Sequence, residues 1–137
     1  MVYIGVVGSR RRNSYSDIKK IYDELDKRVE EYGIGNITLV SGGCNRGGDR
    51  FAEWYQNDAG LPNPMVIHYP DKTNPVYLGM VKQNHRAAYA IIAYERNTLI
   101  ARDSDELIAL VASDRKGGTE DTIRKYLKFG KTKLTLL

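Results

Sequence analysis

Asp105–Arg124 reads DELIALVASDRKGGTEDTIR, and its two halves follow different periodicities. Leu107 to Ala112 is a short apolar run without alternation, the pattern of a strand covered on both faces. A polar hinge follows and ends in Gly117-Gly118. Thr119, Glu120 and Asp121 then open an amphipathic helix. Threonine suits an N-cap, and acids in the first turn suit the positive end of the helix dipole. The stretch therefore predicts a buried parallel strand feeding a helix through a glycine turn. Lacking Cβ atoms, Gly117 and Gly118 leave backbone N–H groups open to a phosphate. A plain strand-to-helix connection would use the same residues, so the phosphate reading draws its weight from recurrence of the device.

It recurs twice. Val2–Val7 (VYIGVV) is a second continuous apolar run and ends in Gly8-Ser9-Arg10, with Arg11, Arg12 and Asn13 behind. Ser16 and Asp17 predict a helix start; Ile18, Ile21, Tyr22, Leu25, Val29 and Tyr32 recur at helical spacing up to Gly33. An arginine-rich loop at a strand's carboxyl end is a place for an anion, a solvated basic loop being the plain alternative. Ile37–Ser41 (ITLVS) is the next strand, followed by Gly42-Gly43-Cys44-Asn45-Arg46-Gly47-Gly48-Asp49. Asp49 predicts the N-cap of a helix carrying Phe51, Ala52, Trp54, Tyr55 and Ala59. Ser41, Gly42, Gly43, Gly47 and Gly48 can cradle a phosphate or sugar, with Asp49 or Glu53 accepting from ribose hydroxyls. No Gly-Lys-Ser/Thr closes the loop and its glycines lack the dinucleotide spacing, which removes the common ATPase and dehydrogenase readings.

Met65–Tyr69 (MVIHY) reads as the third strand and Pro70 to Pro75 as a loop. Val76 to about Tyr94 reads as one helix, with Tyr77, Val81, Ala88, Ile91 and Ile92 available for burial. A short helical turn is expected at Leu99–Ile100, and Lys133–Leu137 is a fifth strand. Strands alternating with helices predict an α/β, Rossmann-like three-layer fold with a five-stranded parallel sheet of order 3-2-1-4-5. The three glycine- or arginine-rich loops then follow adjacent central strands and span roughly 10 Å, the scale of a sugar phosphate.

Composition narrows the classes. At 137 residues the chain is expected to be a single domain, 1–137. Net charge is +4, from 21 Lys and Arg against 17 Asp and Glu, too mild to identify a nucleic-acid binder. The lone Cys44 and the lack of an apolar run near 20 residues predict a cytoplasmic setting and no membrane partner. Cys44, His68 and His85 are scattered, so no metal site is expected and no base is tied to Cys44 as a nucleophile.

Taken in order, Gly8-Ser9-Arg10, Ser41-Gly42-Gly43 through Gly48-Asp49, Arg96-Asn97 and Gly117-Gly118-Thr119 resemble the SLOG superfamily, nearest its small YspA/YpsA-like branch. Phe51-Ala52-Glu53 and Ser104-Asp105 add to the likeness, which runs nearly end to end. The superfamily includes the DNA-processing protein DprA/Smf and the LOG phosphoribohydrolases. The resemblance implies a Rossmann-like domain that binds a nucleotide or nucleotide-derived ligand, often as a homodimer. It implies ligand contacts from Gly8, Ser9, Arg10, Gly42, Gly43, Gly48, Asp49, Arg96, Asn97, Gly117, Gly118 and Thr119. LOG enzymes pair an arginine with a glutamate three residues beyond the motif threonine. Arg96 matches the arginine, but the glutamate's position holds Thr122.

Three functions follow. The first is binding of a nucleotide at the carboxyl edge of the sheet, as sensor, carrier or sequestering protein, with no further cofactor required. The second is phosphoribohydrolase cleavage of a nucleoside 5'-monophosphate, with Arg96, Asp121 and Glu120 as candidate catalytic residues. The third is single-stranded nucleic-acid binding through Arg10 to Arg12 and some of the ten tyrosines.

Overall fold

A computed structural model describes residues 1–137, the whole of this sequence. Its centre is β1 (Val2–Gly8), whose residues Ile4 to Val7 are all buried. β1 pairs in parallel with β2 (Ile37–Ser41), Ile4 opposite Leu39, and with β4 (Glu106–Leu110), Gly8 opposite Leu110. β3 (Val66–Ile67) lies outside β2, and β5 (Leu134–Leu136) lies outside β4. The sheet is fully parallel and its order is β3-β2-β1-β4-β5, the order the sequence predicts.

Continuous apolar strands are needed because both faces are covered. Successive strand residues point to opposite faces, and the core divides accordingly. Ile4, Val6, Leu39, Ile108 and Leu110 pack with Ile21 and Leu25 of α1 (Tyr15–Tyr32) and Phe51 and Tyr55 of α2 (Gly48–Asp58). Val7, Val40, Leu107 and Ala109 pack with Ile100 and Ala101 of α4 (Ala88–Asp103) and Ile123 and Tyr126 of α5 (Gly118–Lys128). Two helices therefore cover each face, giving three layers. α3 (Pro75–Lys82) packs on α4 and has no buried residue.

The largest departure from the sequence reading lies between Val76 and Tyr94, where one helix is expected and two are found. α3 ends at Lys82. Asn84 takes a left-handed φ of 52°, which asparagine tolerates better than most residues, and α4 starts afresh at Ala88. The expected turn at Leu99–Ile100 is instead interior to α4, so Arg96 and Asn97 sit in mid-helix. Val81 is exposed rather than buried.

Three helix starts also differ. α1 is capped by Ser14, not by Ser16 or Asp17. The Ser14 hydroxyl accepts from the Asp17 N–H, and the Asp17 carboxylate accepts from the Ser14 N–H. α2 and α5 begin from Gly47 and Gly117 rather than from Asp49 and Thr119, and no side chain caps either. The strands keep their places but are shorter at the ends than the apolar runs, β3 most of all.

Candidate nucleotide cleft

At the carboxyl edge of β1 and β4 the loops part around a cleft of about 360 Å³. Gly8, Ser9 and Arg10 border it from the β1 loop, and Gly117, Gly118 and Thr119 from the start of α5. Asp49 enters from α2, and Arg96 and Asn97 enter from α4. These nine are expected ligand contacts that the fold brings to one place.

The rest of the expected set does other things. Gly47, with a φ of 66°, and Gly48 let the start of α2 touch the end of β1. A Cβ on Gly48 would stand 2.6 Å from the Val7 carbonyl carbon, and one on Gly47 would stand 2.7 Å from the Ser9 oxygen. Gly42 lies beneath Arg96, Gly43 faces the Tyr69 ring, and Ser41 is fully buried at the end of β2. Glu53 pairs with Arg50 at 3.6 Å, one turn further along α2. None of these six is part of the cleft lining.

The two candidate catalytic acids also lie off the lining. Glu120 is held by Arg115. Asp121 is buried and accepts from Asn97 Nδ2 at 3.1 Å, Arg124 Nη2 at 3.0 Å and Lys125 Nζ at 2.9 Å. Asp49 is the lone carboxylate on the lining. Burial pushes it up to about 6, against the opposing pull of the Cys44 N–H, the nearby Arg96 charge and the Gly42 N–H.

A polar chain runs behind the cleft. Arg96 Nη1 donates to the Gly42 carbonyl at 2.6 Å, and Arg96 Nε donates to Asn97 Oδ1 at 2.9 Å. Asn97 Nδ2 in turn donates to the Gly118 carbonyl at 3.3 Å. The Arg96-Asn97 pair thereby joins the loop after β2 to the start of α5. In front, Arg11 reaches across the mouth to Asp114 through two bonds of 2.7 and 3.0 Å. Arg12 is spent elsewhere: it pairs with Asp17 at 2.7 Å and donates to the Val111 carbonyl at 2.7 Å.

Four cations, Arg10, Arg11, Arg96 and Lys116, thus face one carboxylate around the cleft. Arg10 is exposed and carries no ion pair within the chain. Beside it Gly117 holds a φ of 112°, a conformation glycine takes without steric cost, and no atom lies within 4 Å of where its Cβ would be. The first N–H groups of α5 are therefore approachable. The arrangement suits an anionic group bound by backbone donors and guanidinium.

Sequence reasoning missed Tyr89, Ala93, Tyr94 and Lys116 on the lining. Lys116 could have been found by its place next to Gly117. The tyrosines could not: Ala88 and Ile92 are buried as their spacing predicts, but nothing in that spacing marks Tyr89 and Tyr94 as facing a cleft.

No protein-family model and no curated protein matches the chain. Solved structures do. DNA processing protein A from Helicobacter pylori, a single-stranded DNA binder, superposes with a TM-score of 0.65 at 20% identity over 98% of this chain. The protein of the same name from Streptococcus pneumoniae gives 0.66 at 18% identity over 99% of this chain. The structural-genomics protein TM1055 gives 0.57 at 20% identity over 96%. This chain spans 64% and 50% of the two DNA processing proteins, less than two thirds of either, and 71% of TM1055. In fold, the chain is thus of the kind found in DNA processing protein A, one of the SLOG proteins its loop motifs resemble.

Proposed function

We propose that the cleft binds a nucleotide or nucleotide-derived ligand, its phosphate against Gly117, Gly118 and Thr119 and its charge met by Arg10 and Lys116. The observation that carries this reading is the uncapped start of α5 opening onto a cleft with an unpaired arginine at its rim. Asp49 is the group placed to meet a ribose hydroxyl. Arg96 supports the site from behind by fixing Gly42 and lends positive charge to the lining. A protein of this kind acts as a sensor, carrier or sequestering protein, and a homodimer remains part of the proposal, to be checked by sedimentation.

The test is a thermal-shift panel of nucleoside monophosphates and cyclic nucleotides on the whole chain. A rise in melting temperature that Arg10→Ala removes is expected. A flat response across the panel contradicts the proposal. Chromatography of the same mixtures for free base separates binding from phosphoribohydrolase turnover. Support for turnover is weaker, since Glu120 and Asp121 are engaged away from the cleft.

Single-stranded DNA is a second reading, favoured by the fold shared with a DNA-binding protein and by exposed Tyr89 and Tyr94 beside the cations. Salt-dependent retardation of a labelled oligonucleotide tests it.

A further inference from the structure

The cleft is divided by chemistry. Its loop side carries Arg10, Arg11 and Lys116, whereas its α4 side carries Tyr89, Ala93 and Tyr94 towards the start of the helix and Arg96 and Asn97 further along it. A phosphate alone would use the cations and leave the tyrosines idle. A ligand that fills both has an anionic end and a flat apolar end.

The α4 side is not explained by the core. The buried residues of α4 are Ala88, Ile92, Asn97, Ile100 and Ala101, while Tyr89 and Tyr94 are 43% and 49% exposed. Tyr94 is nonetheless held. Lys125 Nζ donates to its backbone carbonyl at 2.6 Å and stands over its ring, 5.4 Å from the centroid. Lys125 is itself fixed by Asp121 at 2.9 Å. That contact fixes the ring's orientation while nearly half of the residue stays open to a ligand. Ala93, on the same lining, presents no more than a methyl group there.

We infer that Tyr94, with Tyr89 on the same cleft lining, forms a stacking subsite for the base of the bound nucleotide. The inference rests on the nucleotide reading above and deepens it. The phosphate lies at the start of α5, the base lies along α4, and recognition is by stacking. Stacking tolerates every base, because each presents a π-face. Asp121, displaced from any direct part in the cleft, acquires a positioning role through Lys125.

Calorimetric titration of the whole chain tests this, with ribose 5-phosphate and the monophosphates of adenosine, guanosine, cytidine and uridine as probes. In the unaltered protein each monophosphate should bind about ten-fold or more tightly than ribose 5-phosphate. The double variant Tyr89→Ala, Tyr94→Ala should bring the monophosphates down to the ribose 5-phosphate level and leave that level unchanged. Tyr94→Phe should bind as the unaltered protein does. Monophosphate affinity that survives the double alanine variant overturns the inference. So does a Tyr94→Phe variant as weak as the double alanine variant, which would assign the contact to the hydroxyl. Equal binding of ribose 5-phosphate and all four monophosphates overturns the stacking subsite while leaving the phosphate site standing; binding of none of the probes removes both.

Discussion

Arg96 Nη1 donates to the Gly42 carbonyl oxygen at 2.6 Å, joining the middle of α4 to the loop after β2 across a separation of 54 residues. Gly42 is glycine for this contact: a Cβ there would lie 2.6 Å from Arg96 Nη1 and 2.9 Å from an Asp49 oxygen. The residue next to Arg96 continues the span, since Asn97 reaches Gly118 at the start of α5. Two neighbouring side chains therefore set the spacing of two loops around the cleft. The dipeptide is a brace as well as part of the lining.

Arg96→Ala should cost about 1.5–3 kcal/mol in urea denaturation, the range for a hydrogen bond from a charged donor. Arg96→Lys should recover only part, because one ammonium cannot serve both the Gly42 and the Asn97 contacts. An unaltered midpoint in the alanine variant would show that the brace is idle.

Asp49 predicts a pH dependence of definite sign. Its folded-state value of about 6 lies above the ordinary 3.8, so between these values the folded protein holds a proton the unfolded chain has released. Its contribution is therefore greatest below pH 4, falls as pH rises to 6 and is constant beyond. Comparing Asp49→Asn with the unaltered protein by thermal denaturation from pH 4 to 8 isolates this group. The variant should gain on the unaltered protein across that window; a difference independent of pH would contradict the assignment.

Two glycines at helix starts should respond in opposite ways to alanine. At Gly48 the new methyl would sit 2.6 and 2.7 Å from backbone atoms of Val7, which cannot move without breaking the sheet. Loss of more than about 3 kcal/mol, or failure to fold, is expected. At Gly118, the first residue of α5, the nearest atom is 3.8 Å away. Stability there should hold or rise by about 0.5 kcal/mol. Nucleotide binding should weaken, because the methyl would stand in the proposed phosphate site. Denaturation and titration of both variants decide the matter.

Asp114→Asn releases Arg11 from its bidentate partner at the mouth of the cleft. Both residues are exposed, so the melting temperature should barely change. The freed guanidinium should tighten binding of a monophosphate and steepen its salt dependence. A drop in affinity would show instead that the Arg11–Asp114 bridge shapes the site.

Much of this was readable in the chain itself. Continuous apolar strands at Val2–Val7, Ile37–Ser41 and Leu107–Ala112 require a sheet covered on both faces, and handedness rules then leave few orders, the observed one among them. The glycines showed where the chain turns but not why. Gly47 and Gly48 serve a close approach within the fold, whereas Gly117 and Gly118 open onto the cleft, and only three-dimensional neighbours separate the two uses. The break after Lys82 escaped notice because Gln83 to Ala87 contains neither glycine nor proline. The spacing of Ala88 and Ile92 marks the buried side of α4, but only the fold shows that Tyr89 and Tyr94 border the cleft. At the start of α1, Ser14 and Ser16-Asp17 are residue types that suit a cap equally well, and only the observed hydrogen bonds single out Ser14.

The central claim is that a nucleotide sits between the β1 loop, the start of α5 and the α4 face. Amide chemical-shift mapping with adenosine monophosphate tests it most directly. The account predicts perturbations confined to Gly8–Arg11, Tyr89–Asn97 and Gly117–Thr119, with the largest at Gly118 and Thr119. Perturbations centred elsewhere, such as along β5 or the outer face of α1, or none at millimolar ligand, would contradict it.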